Sequence, residues 1–151
     1  MPSLLVVHHT PSPSTREMLE AVLAGTGAEG LEDVEVTTVP ALTAGPSHVL
    51  DADAVVLGTP ANIGYISGAL KHFFDQVYYP CLDATDGLPF GLYVHGNNDT
   101  TGARRAVASI TDGLGWNQVA EPVEVVGDLD ADDREALWNL GATVAAATLE
   151  P

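Results

Sequence analysis

The chain reads as an α/β protein built on a parallel sheet of five strands with helices on both faces. Short continuous apolar runs alternate with amphipathic stretches from one end to the other. That is the pattern of strands buried on both faces and joined by crossover helices. Its 151 residues, 46% of them hydrophobic, suit a single domain with a full core. No linker, repeat or low-complexity segment divides it, so residues 1–151 are expected to form one domain.

Leu4-Leu5-Val6-Val7 is the first apolar run and the first predicted strand. Met18, Leu19, Val22 and Leu23 then share one face of a helix. Val34 to Val39 is the second strand, and Ala41 to Leu50 is weakly helical at best, broken by Gly45-Pro46. Ala54-Val55-Val56-Leu57 is a third buried strand, followed by a helix stripe of Ile66, Leu70, Phe73 and Val77. Leu88 to His95 is the fourth strand, and Ala103, Ala106, Val107, Ile110 and Leu114 mark the next helix. Val119 to Val126 is the fifth, placed at a sheet edge because Pro122 has no N–H for a ladder. Leu137, Leu140, Val144 and Thr148 complete the last helix.

Five basic residues against 21 acidic ones give a net charge of −16. Such a chain repels nucleic acid and anionic membrane. It suits docking onto basic surfaces, or a generally acidic, salt-adapted exterior. No stretch approaches the roughly 20 apolar residues that span a bilayer. Met1-Pro2-Ser3 lacks the basic start of a signal peptide, and Cys81 is alone, so a reducing cytoplasm is the expected location.

In parallel sheets of this kind ligands sit outside the carboxyl ends of the strands, where strand order reverses. The loop after the first strand reads His8-His9-Thr10-Pro11-Ser12-Pro13-Ser14-Thr15-Arg16. Thr10, Ser12, Ser14 and Thr15 put hydroxyls immediately before a helix, whose first N–H groups attract anions. The lysine of a P-loop is missing. Plain helix capping is the competing reading, with Ser14 as N-cap and Glu17 reaching back to it.

The loop after the third strand runs Gly58-Thr59-Pro60-Ala61-Asn62-Ile63-Gly64-Tyr65-Ile66 into a helix capped by Ser67. It carries no charge, so a flat, largely apolar ring system fits there, its polar edge met by backbone groups. A tight strand–helix connection without a ligand is the alternative. After the fourth strand, His95-Gly96-Asn97-Asn98-Asp99-Thr100 combines a glycine with residues tolerant of left-handed turns.

Gly58-Thr59-Pro60, then Gly64, then Ala69-Leu70-Lys71-His72-Phe73-Phe74-Asp75 resembles the flavodoxin-like flavoproteins. The resemblance is strongest to their NADPH-dependent FMN reductase and quinone reductase subgroup. The first loop is similar to that family's phosphate loop through Thr10, Ser12, Ser14, Thr15 and Arg16, with Pro13 where the family usually has glycine. The fourth-strand loop lacks both the aspartate–tyrosine pattern of many electron-carrier flavodoxins and the glycine run of the quinone reductases. The resemblance implies a flavodoxin-like three-layer sandwich with strand order 2-1-3-4-5, and FMN held non-covalently. The implied cofactor-binding residues are Thr10, Ser12, Ser14, Thr15, Thr59, Pro60, Ala61, Asn62, Ile63, Gly64, His95, Gly96, Asn97 and Asn98.

Two functions follow from the resemblance. One is an NAD(P)H-dependent FMN or quinone oxidoreductase; the other is an electron carrier served by a protein reductase. A flavin-free binding module is a third, lesser reading. A phosphoacceptor domain of similar topology is excluded, because it needs paired acids where His8-His9 stand and an aspartate where Thr59 stands. No side chain is singled out as catalytic, and no metal-ligand spacing is present. Tyr78 and Tyr79 can stack on flavin or substrate or, the favoured reading, simply pack under the loop. The family resemblance, with Tyr78-Tyr79-Pro80 lying where a partner could cover the flavin, predicts a homodimer or larger assembly.

Overall fold

In the computed structural model, which describes residues 1–150, Leu4 to Val7 lie at the centre of the molecule in a strand, β1 (Ser3–His8). The last residue of the expected 1–151 domain, Pro151, lies outside the described residues. The chain continues through α1 (Pro13–Thr26), β2 (Glu35–Pro40), α2 (Pro46–Leu50), β3 (Ala54–Asn62), β4 (Tyr65–Ile66) and α3 (Gly68–Cys81). It ends with β5 (Pro89–Gly96), α4 (Thr101–Leu114), β6 (Asn117–Gln118), β7 (Val123–Val126) and α5 (Ala131–Ala147). Among the described residues no helix is long and apolar enough to cross a membrane.

The sheet runs β2-β1-β3-β5 and is closed at its far edge by β6 and β7, which both pair with β5. These pairings are parallel. The five expected ladder positions are therefore present in the order 2-1-3-4-5, and the architecture is the flavodoxin-like sandwich. The fifth position differs from a continuous Val119–Val126 strand. β6 pairs with Pro89 and Phe90, β7 pairs with Tyr93 to Gly96, and Ala120-Glu121-Pro122 breaks the ladder between them. Pro122 sits at an edge, and the missing N–H helps to break the strand there.

Alternate side chains enter two cores, as a doubly covered strand requires. Leu5, Val7, Val55, Leu57, Leu92 and Val94 pack against α3 and α4 through Leu70, Phe73, Phe74 and Val107. Leu4, Val6, Val56 and Tyr93 pack on the other face against Met18 and Val22 of α1 and Leu137, Leu140 and Val144 of α5.

Candidate site at the carboxyl edge

Three loops meet at the carboxyl edge, because β1, β3 and β5 are adjacent and parallel. The first is fixed at its start by two backbone bonds. His9 N donates to the Gly58 carbonyl at 3.0 Å, and Ala41 N donates to the His8 carbonyl at 2.7 Å. The N-cap of α1 is Ser12, not Ser14. Thr15 N donates to Ser12 Oγ at 3.2 Å, and Ser12 N donates back to Thr15 Oγ1 at 3.0 Å. Pro13 explains the shift: its ring presets the helical φ at the first position and so starts the helix there. The expected Ser14–Glu17 box does not form, since Glu17 holds Arg134 of α5 at 2.6 Å.

Ser14 is left in the first turn of α1, where a backbone N–H has no intrahelical acceptor. Thr10 bonds His8, with Oγ1 2.6 Å from Nδ1. The four hydroxyls thus divide. Thr15 is buried in the cap, while Thr10, Ser12 and Ser14 keep partial exposure around the start of the helix. No carboxylate lies within the loop, and Arg16 follows it directly.

The second loop is a hairpin that sequence reading missed. β3 runs on past Leu57 to Asn62, and β4 folds back antiparallel on it, pairing Ala61 with Ile66 and Asn62 with Tyr65. The two turn residues have positive φ, +51° at Ile63 and +72° at Gly64, the signs of a type I′ turn. Glycine adopts this freely, but a β-branched residue there is a genuine outlier. Ile63 is also fully exposed, at 105% of the reference accessibility, and Tyr65 beside it is 53% exposed. The tip is seated by Gly102: a Cβ there would lie 1.9 Å from the Gly64 carbonyl oxygen. The Asn-Ile-Gly-Tyr turn was the available signal, weak because Ile seldom occupies its first position.

Below the hairpin, Thr59 and Ser67 are wholly buried. Thr59 Oγ1 lies 2.8 Å from Ser67 Oγ, and Ser67 Oγ accepts from Leu70 N at 3.2 Å to cap α3. The hydroxyl of Thr59, an expected cofactor-binding residue, ties the strand end to the helix. Pro60 is buried with it, so the accessible part of this segment is Ala61 to Gly64.

The third loop presents Asn97, Asn98 and Asp99 to solvent. Asp99 Oδ1 accepts from the N–H of Thr101, the first residue of α4, at 3.0 Å, which holds its carboxyl below the usual carboxylate range. His95, an expected contact residue, is buried, with Nε2 2.7 Å from the Gly127 carbonyl. It pins the β7–α5 connection, as does Gly127 N donating to the Gly96 carbonyl at 2.9 Å. Ala61, Ile63 and Gly64 face Asn97, Asn98 and Asp99 across an open cleft of about 200 Å³. Ala61, Asn62, Ile63, Gly64, Asn97 and Asn98 are therefore brought together, with Gly96 buried at the base of the third loop.

Tyr78, Tyr79 and Pro80 lie elsewhere. α3 starts at the carboxyl edge and runs back along the sheet for 14 residues, about 21 Å at 1.5 Å per residue. Tyr79 is 80% exposed at its far end, so this segment does not cover the cleft of its own chain. Three basic side chains are already paired: Lys71 with Asp75, Arg104 with Glu124 and Arg134 with Glu17. Among the described residues, no three His, Cys, Asp or Glu side chains converge as a metal site would need.

No family model matches the chain. A flavodoxin from Aquifex aeolicus (strain VF5) is 36% identical over 87 residues, 58% of this chain and 46% of that protein. The match thus spans under half the length of that curated relative. Among solved structures, a flavodoxin from the domain Archaea superposes with a TM-score of 0.81 at 17% identity, covering 98% of this chain and 99% of that one. A WrbA-like flavodoxin from Agrobacterium tumefaciens gives 0.77 at 20% identity, covering 99% and 98%. In fold, in strand order and in this partial sequence match, the chain is flavodoxin-like.

Proposed function

We propose that the chain is a single FMN-binding redox domain over residues 1–151, with its cofactor held non-covalently at the carboxyl edge. The observation that carries this reading is Ile63. A β-branched side chain in left-handed backbone costs stability, and Ile63, fully exposed, regains none of it by burial. A planar ring lying between the hairpin and Asn97-Asn98 would cover it and give the strain a use. The other residues fit the same group. The start of α1, with Thr10, Ser12 and Ser14, suits a phosphate monoester in having donors, a helix dipole and no carboxylate. Bound flavin would supply the electron transfer; the protein positions it and tunes it. Asp99 beside the cleft would disfavour added negative charge on a reduced ring.

Of the two redox roles, exchange of electrons with a protein partner is the better supported. A direct NAD(P)H reaction needs local positive charge to receive an anionic donor. Arg104, the nearest candidate above the third loop, is held by Glu124 at 3.0 Å, on a chain of net charge −16. The similarity to a WrbA-like protein keeps the NAD(P)H-dependent oxidoreductase as the second reading. A cytoplasmic location and a homodimer, the latter on some face other than the cleft, belong to the same proposal.

Titration of the purified chain with FMN is expected to quench flavin fluorescence stoichiometrically, and absence of binding would overturn the reading. Ile63→Gly separates a ligand contact from a fold contact. It removes a strained φ and is expected to raise the melting temperature by about 2–4 °C, as a gain near 1 kcal/mol gives in a domain of this size. It should weaken FMN and riboflavin alike. A more stable variant with unchanged flavin affinity would show that Ile63 does not face the ring.

A further inference from the structure

We propose that His8 is a proton-linked gate on the anion cradle at the start of α1, taking up a proton when a phosphate ester binds there. The inference rests on the reading of that loop as the FMN phosphate site.

A bond of 2.6 Å between His8 Nδ1 and Thr10 Oγ1 holds one proton between the two atoms. There are two ways to supply it, and they offer an anion opposite things. When Nδ1 presents its lone pair, the Thr10 hydroxyl donates to it, and Thr10 turns only lone pairs toward the cradle. When Nδ1 carries hydrogen, His8 donates, and the Thr10 proton is free to bond a phosphate oxygen. The doubly protonated ring is guaranteed to be in the second state and adds a positive charge.

The neighbours of His8 set which form the free protein holds. On its own segment stands His9. From α1 comes Arg16, while the next acid along that helix, Glu17, is occupied by Arg134 of α5. β2 and β3 place Pro40 and Gly58 beside it in register, neither of them charged. Burial, then His9, then Arg16 lower the imidazole below its ordinary 6.5, so it is neutral at pH 7. A phosphate dianion at the helix start would reverse that balance and raise it.

A second feature of the same row is an unpartnered polar group at the edge of the packed core. His8, Gly58 and Tyr93 are cross-strand neighbours. The Tyr93 ring reaches over Gly58 toward β1: a Cβ on Gly58 would lie 2.2 Å from its hydroxyl. That hydroxyl is buried and has no hydrogen-bond partner, an arrangement that folded cores rarely keep. Burial pushes its pKa far up, so it stays a neutral dipole in this row while the imidazole titrates.

The proton comes from solvent and ends on His8. Above pH 7 the phosphate of FMN is already a dianion, its second pKa being about 6, so uptake there is the protein's own. The sign follows: the bound-state pKa exceeds the free-state one, so affinity falls as pH rises between them, by up to about tenfold per unit. Calorimetric titration with FMN at pH 7.5, in buffers of different ionisation enthalpy, is expected to show net proton uptake. Riboflavin should show none. His8→Asn places a permanent amide donor near the Nδ1 position, and its FMN affinity should lose both the uptake and the pH slope. If that variant does not fold, the His8 ring resonances of the unaltered protein give the same answer, titrating higher with FMN than with riboflavin. FMN binding with no proton uptake, or a slope that survives in His8→Asn, would overturn the gate alone. Failure of both flavins to bind would overturn the functional reading with it.

Discussion

Replacing Ser12 and Thr15 together by alanine is expected to cost FMN at least ten times more affinity than riboflavin. The two flavins differ only in the phosphate, so the ratio isolates the cradle. A lost hydrogen bond to a charged group costs about 1.5–3 kcal/mol, roughly ten- to hundredfold in affinity. Thr15, buried in the cap, acts on the phosphate by holding Ser12, its hydroxyl 2.9 Å from that of Ser12, so the pair loses less than the sum of the single changes. They also form the capping box of α1, and loss of the N-cap alone costs about 0.5–2 kcal/mol of stability. The melting temperature will therefore fall as well. Ser14→Ala serves as the control, since Ser14 takes no part in the cap. It should lower FMN affinity with the melting temperature almost unchanged. Equal losses for FMN and riboflavin in the double variant would place the phosphate elsewhere.

That distinction between Ser12 and Ser14 was only half legible in the sequence. Both fit an N-cap by residue type, and Ser14 with Glu17 even matches a capping box. The decision rests on Pro13, which starts the helix one residue before Ser14, and on Arg134, distant in sequence, which claims Glu17. Buried strands and helix stripes were readable because a single local pattern determines them, as with Ala54 to Leu57 or Leu70, Phe73 and Val77. Ser67 was readable for the same reason. Side-chain direction was not. Thr59 and His95 sit at strand ends beside the cleft, yet one bonds Ser67 and the other the Gly127 carbonyl. Those partners come from other segments, and nothing local announces them. Where Tyr78 and Tyr79 lie was not legible either: a helix of 14 residues carries its last turn to the opposite end of the sheet from the cleft of its own chain. The break at Pro122 was half anticipated, as an edge position and not as a gap in the strand.

Gly102→Ala should give the opposite signature to the cradle variants, weakening FMN and riboflavin equally. The residue is the second of α4, and its Cα faces the turn of the hairpin. A Cβ there would come 1.9 Å from the Gly64 carbonyl oxygen and 3.1 Å from its carbon. Both contacts are backbone, so no side chain can swing aside, and the hairpin tip must lift off the helix. The helix itself gains, because alanine is favoured over glycine in a helix interior by about 1 kcal/mol. Near a helix end the gain is smaller, and it partly offsets the lost contact. The net change in melting temperature should be small. The site is less forgiving, since contacts to a ring depend on placement within about 0.5 Å. Lifting Ile63 and Gly64 away from Asn97 and Asn98 widens the cleft on one side only, so the ring loses its cover while the cradle, built on α1, keeps its shape. Both flavins should therefore bind about tenfold more weakly, with the ratio between them preserved. A fall confined to FMN would mean that the hairpin serves the phosphate. An unchanged affinity for both would mean that the ring does not lie against the hairpin, and Ile63 would need another reason for its strained, exposed position.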